Sequence, residues 1–146
     1  MKTYSAKPSE VERKWYVIDA SEVTLGRLST NVAKLLMGKD KTMYTHHIDT
    51  GDYVVVINAQ DLVVTGKKLE QKKYYRHSGY PGALKEWTLS DQMEKDPTKV
   101  IYLSVRNMLP VNKLRPERLK RLKIYVDSNH DHEAQKPEKL SLKDKT

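Results

Sequence analysis

The chain has 146 residues, 38% of them hydrophobic, which suits one domain with a buried core. Its 27 Lys and Arg against 19 Asp and Glu leave a formal charge of +8, a field that attracts polyanions and makes nucleic acid the leading class of partner. Cysteine is absent, which excludes a disulfide framework, a thiolate zinc site and a cysteine nucleophile; the N-terminus lacks the apolar block of a signal peptide, and no stretch is long enough to cross a bilayer, so a soluble cytoplasmic protein is expected.

Residues 1–13 are polar and mixed in charge, with at most a turn of helix in Ser9-Glu10-Val11-Glu12-Arg13, and read as an arm. Trp15-Tyr16-Val17-Ile18-Asp19-Ala20 is aromatic and β-branched, a first strand. Thr24 is placed to cap a helix whose apolar positions Leu25, Leu28, Val32, Leu35 and Leu36 recur at three- and four-residue spacing, and Gly38 supplies a left-handed stop. Only one glycine stands at Leu25-Gly26-Arg27, and Gly38-Lys39-Asp40-Lys41-Thr42 lacks the spacing of a P-loop. The helix therefore reads as a plain amphipathic one, with Arg27 free for phosphate or solvent.

His46, His47, Asp49 and Asp52 are the residue types of a metal or acid-base site. Adjacent residues of an extended segment point to opposite sides, so His46 and His47 do not converge and the segment reads as a hydrogen-bonded loop. The loop feeds Asp52-Tyr53-Val54-Val55-Val56-Ile57-Asn58, the longest apolar run in the chain. A strand apolar at every position needs cover on both faces, which places it at the centre of a mostly parallel sheet.

Leu62-Val63-Val64-Thr65-Gly66 predicts a further short strand, followed by the basic turn Lys67-Lys68-Leu69-Glu70-Gln71-Lys72-Lys73. Tyr74-Tyr75-Arg76-His77-Ser78-Gly79-Tyr80-Pro81-Gly82 then interleaves aromatics, cations and glycines in an extended segment that ends in a loop. Cations neutralise phosphates, aromatic rings stack on unpaired bases, and glycines let a backbone approach closely.

A helix is expected from Thr88, with Ser90 near its start, and a second after Asp96-Pro97. Lys99 to Arg106 is strand-like by propensity, but Ile101, Val105, Met108 and Leu109 fall on one helical face, and the cap decides for helix. Residues 113–123 concentrate Lys113, Arg115, Arg118, Lys120, Arg121 and Lys123 against Glu117, with Pro116 at a helix start. Cations this crowded repel one another, and a polyanion relieves that cost. Ile124-Tyr125-Val126 predicts a last strand, and residues 128–146 an extended tail in which His130 and His132 lack a third ligand for a metal.

Several of these stretches together resemble a family, the thirteenth protein of the bacterial large ribosomal subunit. They are Trp15-Tyr16-Val17-Ile18-Asp19-Ala20, Thr24-Leu25-Gly26-Arg27-Leu28, His47-Ile48-Asp49-Thr50-Gly51-Asp52-Tyr53, Val64-Thr65-Gly66-Lys67-Lys68, Tyr74 to Gly82, Asn107-Met108-Leu109-Pro110, Leu122-Lys123-Ile124-Tyr125, and His130-x-His132-x-x-Gln135-x-Pro137. They occur in the family's order and span about residues 2 to 138. The chain departs from the family pattern at His46, Asn107, Arg115-Pro116 and Asp127, and Asn107 is expected to keep a left-handed turn.

The resemblance implies a three-layer α/β/α fold on a small, mostly parallel four-stranded sheet, with a basic hairpin-like extension and polar terminal arms. It also implies a structural, non-catalytic role: binding large-subunit rRNA beside neighbouring ribosomal proteins, and entering early in subunit assembly. The expected RNA contacts are Arg27, Lys39 and Lys41; then Lys67, Lys68, Lys72, Lys73, Tyr75, Arg76, His77, Ser78, Tyr80 and Lys85 about the extension. Lys113, Arg115, Arg118, Lys120 and Arg121 in the basic helix, with His130 and His132 in the tail, complete the set. No metal, cofactor, small-molecule substrate or membrane partner is expected. The competing reading is a small α/β enzyme gathering Asp19, Arg27, Asn58 and Asp61 at the C-terminal strand ends.

Overall fold

The computed structural model describes residues 2–142. Strand β1 (Trp15–Asp19) leads into helix α1 (Leu25–Met37) and strand β2 (Tyr53–Ile57), the expected βαβ unit. Helix α2 (Lys68–Gln71), strands β3 (Lys73–His77) and β4 (Leu84–Thr88), and helices α3 (Leu89–Lys95), α4 (Pro97–Met108) and α5 (Arg115–Lys120) follow. Strands β5 (Leu122–Ile124) and β6 (Glu138–Lys139) come last. Among the described residues the result is a mixed α/β fold with five α-helices, a four-stranded sheet and a separate β3–β4 pair, consistent with a three-layer α/β/α arrangement.

The sheet runs β5-β2-β1-β6, parallel throughout, with Trp15 opposite Tyr53, Val54 opposite Leu122 and Tyr16 opposite Glu138. β2 is interior, and Val54, Val55 and Val56 are fully buried, as an uninterrupted β-branched run requires. Period-two alternation sends Ile18, Val54 and Val56 to one face, where Leu28, Val32 and Leu36 of α1 and Val100, Ile101 and Val105 of α4 close the core. Each such side chain, fully buried, contributes about 1.5–3 kcal/mol. The other face carries Trp15, Val17, Tyr53 and Val55, with Trp15 and Tyr53 stacked at 4.3 Å and His132 of the C-terminal segment lying 4.9 Å from the Trp15 ring.

Four expectations are corrected. Leu62–Gly66 forms no strand: Val63 makes a single bridge to Thr24, its carbonyl accepting from Leu25 N–H at 3.0 Å. β6 and β5 occupy the places beside β1 and β2, and the run lies instead against the start of α1, where the Thr24 bridge is its only pairing among the described residues. The last predicted strand lies two residues earlier, at Leu122–Ile124, because pairing with β2 sets Leu122 against Val54. The segment read as an extended tail returns to give β6 at the edge of β1 and buries Leu142; residues 143–146 lie outside the described residues. Asn107 is helical within α4, and the left-handed asparagine is instead Asn58, with φ of 56° at the exit of β2.

Helix starts show which capping signals operate. Thr88 and Asp91 form a reciprocal capping box on α3, and the Asp96 side chain accepts from the Thr98 and Lys99 N–H groups at the start of α4, making Lys99–Arg106 helix as expected. Thr24 makes no side-chain cap, correcting its predicted role. Asp96→Ala should therefore cost about 1 kcal/mol and Thr24→Ala a few tenths at most. Denaturant midpoints of the two variants, at unchanged m, check this difference.

Candidate nucleic-acid interface

β3 and β4 pair antiparallel, with Tyr74 opposite Trp87, Tyr75 opposite Glu86 and Arg76 opposite Lys85. The predicted extension is thus a hairpin, but of residues 73–88, with the basic turn before it folded as α2. Alternation puts Tyr74, Arg76, Lys85 and Trp87 on one face and Lys73, Tyr75, His77, Leu84 and Glu86 on the other. The first face is the anchor. Tyr74 and Trp87 stack at 6.3 Å, Trp87 Nε1 donates to Gln92 Oε1 at 2.8 Å, and Leu89 N–H donates to the Lys72 carbonyl at 2.9 Å. Burial raises the pKa of the Tyr74 phenol, which keeps it neutral in this packing.

The second face and the tip are open. Tyr75 is 61% exposed and Tyr80 75%, with His77 and Ser78 exposed beside them; on the first face Arg76 and Lys85, beyond the Tyr74–Trp87 pair, are exposed as well. Gly79 and Gly82 turn the loop at φ of 92° and 72°, and Gly79 N–H donates to His77 Nδ1 at 2.9 Å. That bond makes Nδ1 an acceptor and leaves Nε2 to carry the ring proton outward. Lys73 pairs with Glu86 at 3.3 Å in solvent, an ion pair that contributes little.

The basic helix divides in two. Lys113 and Lys120 are exposed and Arg115 half-buried, but Arg118 is 1% exposed and Arg121 7%, correcting their assignment as surface phosphate contacts. Spaced by three, Arg118 in α5 and Arg121 at its C-cap lie on one side, and a carboxylate meets them there. Asp49 receives Arg121 Nη2 at 2.7 Å and Nη1 on its other oxygen, with Arg118 Nε at 3.7 Å. Arg121 Nη2 also donates to the Leu36 carbonyl at 2.8 Å, joining α1 to the end of α5. Burial opposes ionisation of Asp49, yet the hydrogen bonds and charge of Arg121, with the Gly51 N–H and Arg13, hold its pKa below the ordinary carboxylate range. Lys41 is drawn in likewise, its Nζ 2.7 Å from Asp52 Oδ1 and from the Glu12 carbonyl.

His46 and His47 diverge, one beside the Tyr44 hydroxyl and the other beside Ser5 Oγ. His130 Nδ1 accepts from the His132 N–H at 3.2 Å, and both rings are half-buried near Tyr125. Asp19 and Asn58 do meet, at 3.0 Å, but Asp19 is spent on local structure: burial is outweighed by bonds from Ser21 and Asn58, which lower its pKa. Arg27, Lys39, Lys67 and Lys68 are exposed and Lys72 half-buried. Sequence reasoning missed Lys34, seven residues after Arg27 and so on the same side of α1; with Arg27, Thr30 and Asn31 it forms a polar stripe opposite the apolar one.

Parallel strands backed by helices, unneutralised cations on projecting elements, and carboxylates committed to internal bonds define a basic α/β protein built to present a surface. The family model for ribosomal protein L13 matches residues 13–131. The large ribosomal subunit protein uL13 of Thermotoga petrophila is 58% identical over 141 residues, covering 97% of this chain and 95% of that protein. Those of Aquifex aeolicus and Nitrosococcus oceani are 57% and 54% identical over 98% and 97% of this chain, and 99% and 100% of their own lengths. The chain belongs to the ribosomal protein L13 family. It is accordingly a protein of the large ribosomal subunit, cytoplasmic in bacteria, and not an enzyme.

Proposed function

We propose that the chain binds large-subunit rRNA, lies beside neighbouring ribosomal proteins, and enters the particle early in its assembly, with the β3–β4 hairpin as the element that fits irregular RNA. The observation that carries this reading is the exposure of Tyr75, His77 and Tyr80 on the open face and tip of a hairpin whose opposite face is pinned at its base by Tyr74 and Trp87, with Arg76 exposed farther along that pinned face. An isolated two-stranded hairpin is marginal in water, so the pinned face lets the tip meet RNA already ordered. Rings there stack on unpaired bases, the cations neutralise phosphates, and the left-handed glycines allow a close backbone approach.

Stacking and charge separate experimentally. Losing one base stack costs about 1–3 kcal/mol whatever the salt, whereas losing one exposed phosphate contact mainly flattens the dependence on salt. Tyr80→Ala and Tyr75→Ala should therefore lower incorporation into the subunit at both low and high salt, by roughly ten-fold. Lys113→Ala and Lys120→Ala should lower it less, and chiefly through the salt slope. Circular dichroism verifies that each variant is folded, and equal salt-dependent losses in both pairs would assign binding to charge alone.

A further inference from the structure

We propose that the groove between α1, α2 and α4 holds the phosphate backbone of an RNA strand, as a second track distinct from the exposed hairpin tip; this deepens the rRNA-binding reading above and rests on it. The groove encloses about 900 Å³, and its cations are Arg27 and Lys34 from α1, Lys68 from α2, and Lys72 at the base of the hairpin. No Asp or Glu lines it, and among the described residues none of these four cations makes an ion pair. Elsewhere on the molecule Lys41, Lys73, Lys120 and Arg121 are matched with carboxylates. Here the charges are left facing one another: burial first, then the charge of Lys68, lowers the pKa of Lys72. An anion that enters the groove relieves that repulsion.

Gly26 adds a second observation. It lies in the first turn of α1 on the groove wall, has no positive φ, and a Cβ built on it meets nothing within 4 Å. Alanine would strengthen the helix, so neither conformation nor internal packing calls for glycine there. Bare backbone in a groove shared with four cations that have no carboxylate partner, Lys72 lying over the Tyr74 ring at 5.6 Å, suits a ligand that comes close, as a phosphodiester does. A strand is favoured over a single phosphate because the cations are spread along two turns of α1 and across to α2, so that successive phosphates are needed to meet them.

The test measures binding of the full chain to deproteinised large-subunit rRNA across a salt series. Lys34→Gln with Lys68→Gln should flatten the slope of log K against log salt by about 1.4–1.8, since each neutralised phosphate contributes about 0.7–0.9. A control pair, Lys95→Gln with Lys139→Gln, also exposed but outside the groove, should change it by less than half as much. Gly26→Ala should raise the thermal midpoint by about 1–3 °C while weakening binding by about ten-fold, a combination that a structural role for Gly26 does not produce. Equal slopes for the two pairs, or a Gly26→Ala chain that binds as the wild type does, overturns the groove and leaves the RNA reading standing. Failure of the wild type to bind rRNA overturns both. Competition by low millimolar inorganic phosphate, with slopes unchanged in the double variant, would assign the groove to a small anion and overturn the strand.

Discussion

Arg121→Ala is expected to destabilise the folded chain by about 3–5 kcal/mol, the effect of removing one partner from a buried ion pair. The loss is large because the guanidinium serves several acceptors from different parts of the chain. Without it, Asp49 keeps its charge in a half-buried site, and the Leu36 and Asp52 carbonyls lose the donors now at 2.8 and 3.3 Å. Arg121→Lys retains charge but not the planar fork, and should recover only part of the loss. Lys120→Ala, one residue away and paired with Glu117 in solvent, should stay within about 0.5 kcal/mol of wild type. Urea midpoints order the three variants, and an Arg121→Ala chain as stable as Lys120→Ala would remove Arg121 from the scaffold.

The same pair fixes the direction of the pH response. Asp49 has a folded-state pKa below that of the unfolded chain, so its contribution is complete above the ordinary carboxylate range. It is lost as pH falls through the depressed value, when the folded state must take up the proton. Thermal midpoints should thus drop steeply on the acid side, and Asp49→Asn should flatten that limb while lowering the plateau. An unchanged acid limb in Asp49→Asn would place the sensitivity on other carboxylates.

What was legible in the sequence is what local physics decides. The β-branched run of β2, the three- and four-residue spacing in α1, and the Asp96-Pro97 cap of α4 each act over a few residues, and each reappears in the structure where it was expected. The resemblance to a ribosomal family rests on short ordered stretches and matches the family relationship found for the chain. The errors arise where a distant partner decides. β6 is two exposed charged residues, Glu138 and Lys139, whose strand character comes only from pairing with β1. Leu62–Gly66 has the composition of a strand, but it lies against the start of α1, where only Val63 pairs, in a bridge to Thr24. Arg118 and Arg121 read as solvated cations because Asp49, which draws them inward, lies 72 residues before Arg121. In the candidate interface, the cation and aromatic content of the hairpin was visible locally. Its division into a pinned face and an open one required the register of β3 against β4.

Gly51→Ala is the other substitution with a large expected effect, through space rather than charge. Gly51 has no positive φ, so its backbone suits any residue; the obstacle is what surrounds it. A Cβ placed there overlaps the Leu36 carbonyl at the end of α1 and approaches Arg121 Nη2 to 2.7 Å, the donor that binds that same carbonyl. A flexible side-chain tip would move aside, but the Leu36 carbonyl is main chain within α1, and Asp52 N–H and Arg13 Nη1 tie the segment about Gly51 in place. Either α1 shifts or the Arg121 bond opens, so the cost should reach at least the upper end of the overpacking range, about 3 kcal/mol, and the midpoint should fall by on the order of 10 °C. Gly26→Ala meets open space and serves as the matched control, expected to move the midpoint slightly upward. A Gly51→Ala midpoint within about 2 °C of wild type would show that this junction relaxes at little cost, and would weaken the case for Arg121 as its fixed centre.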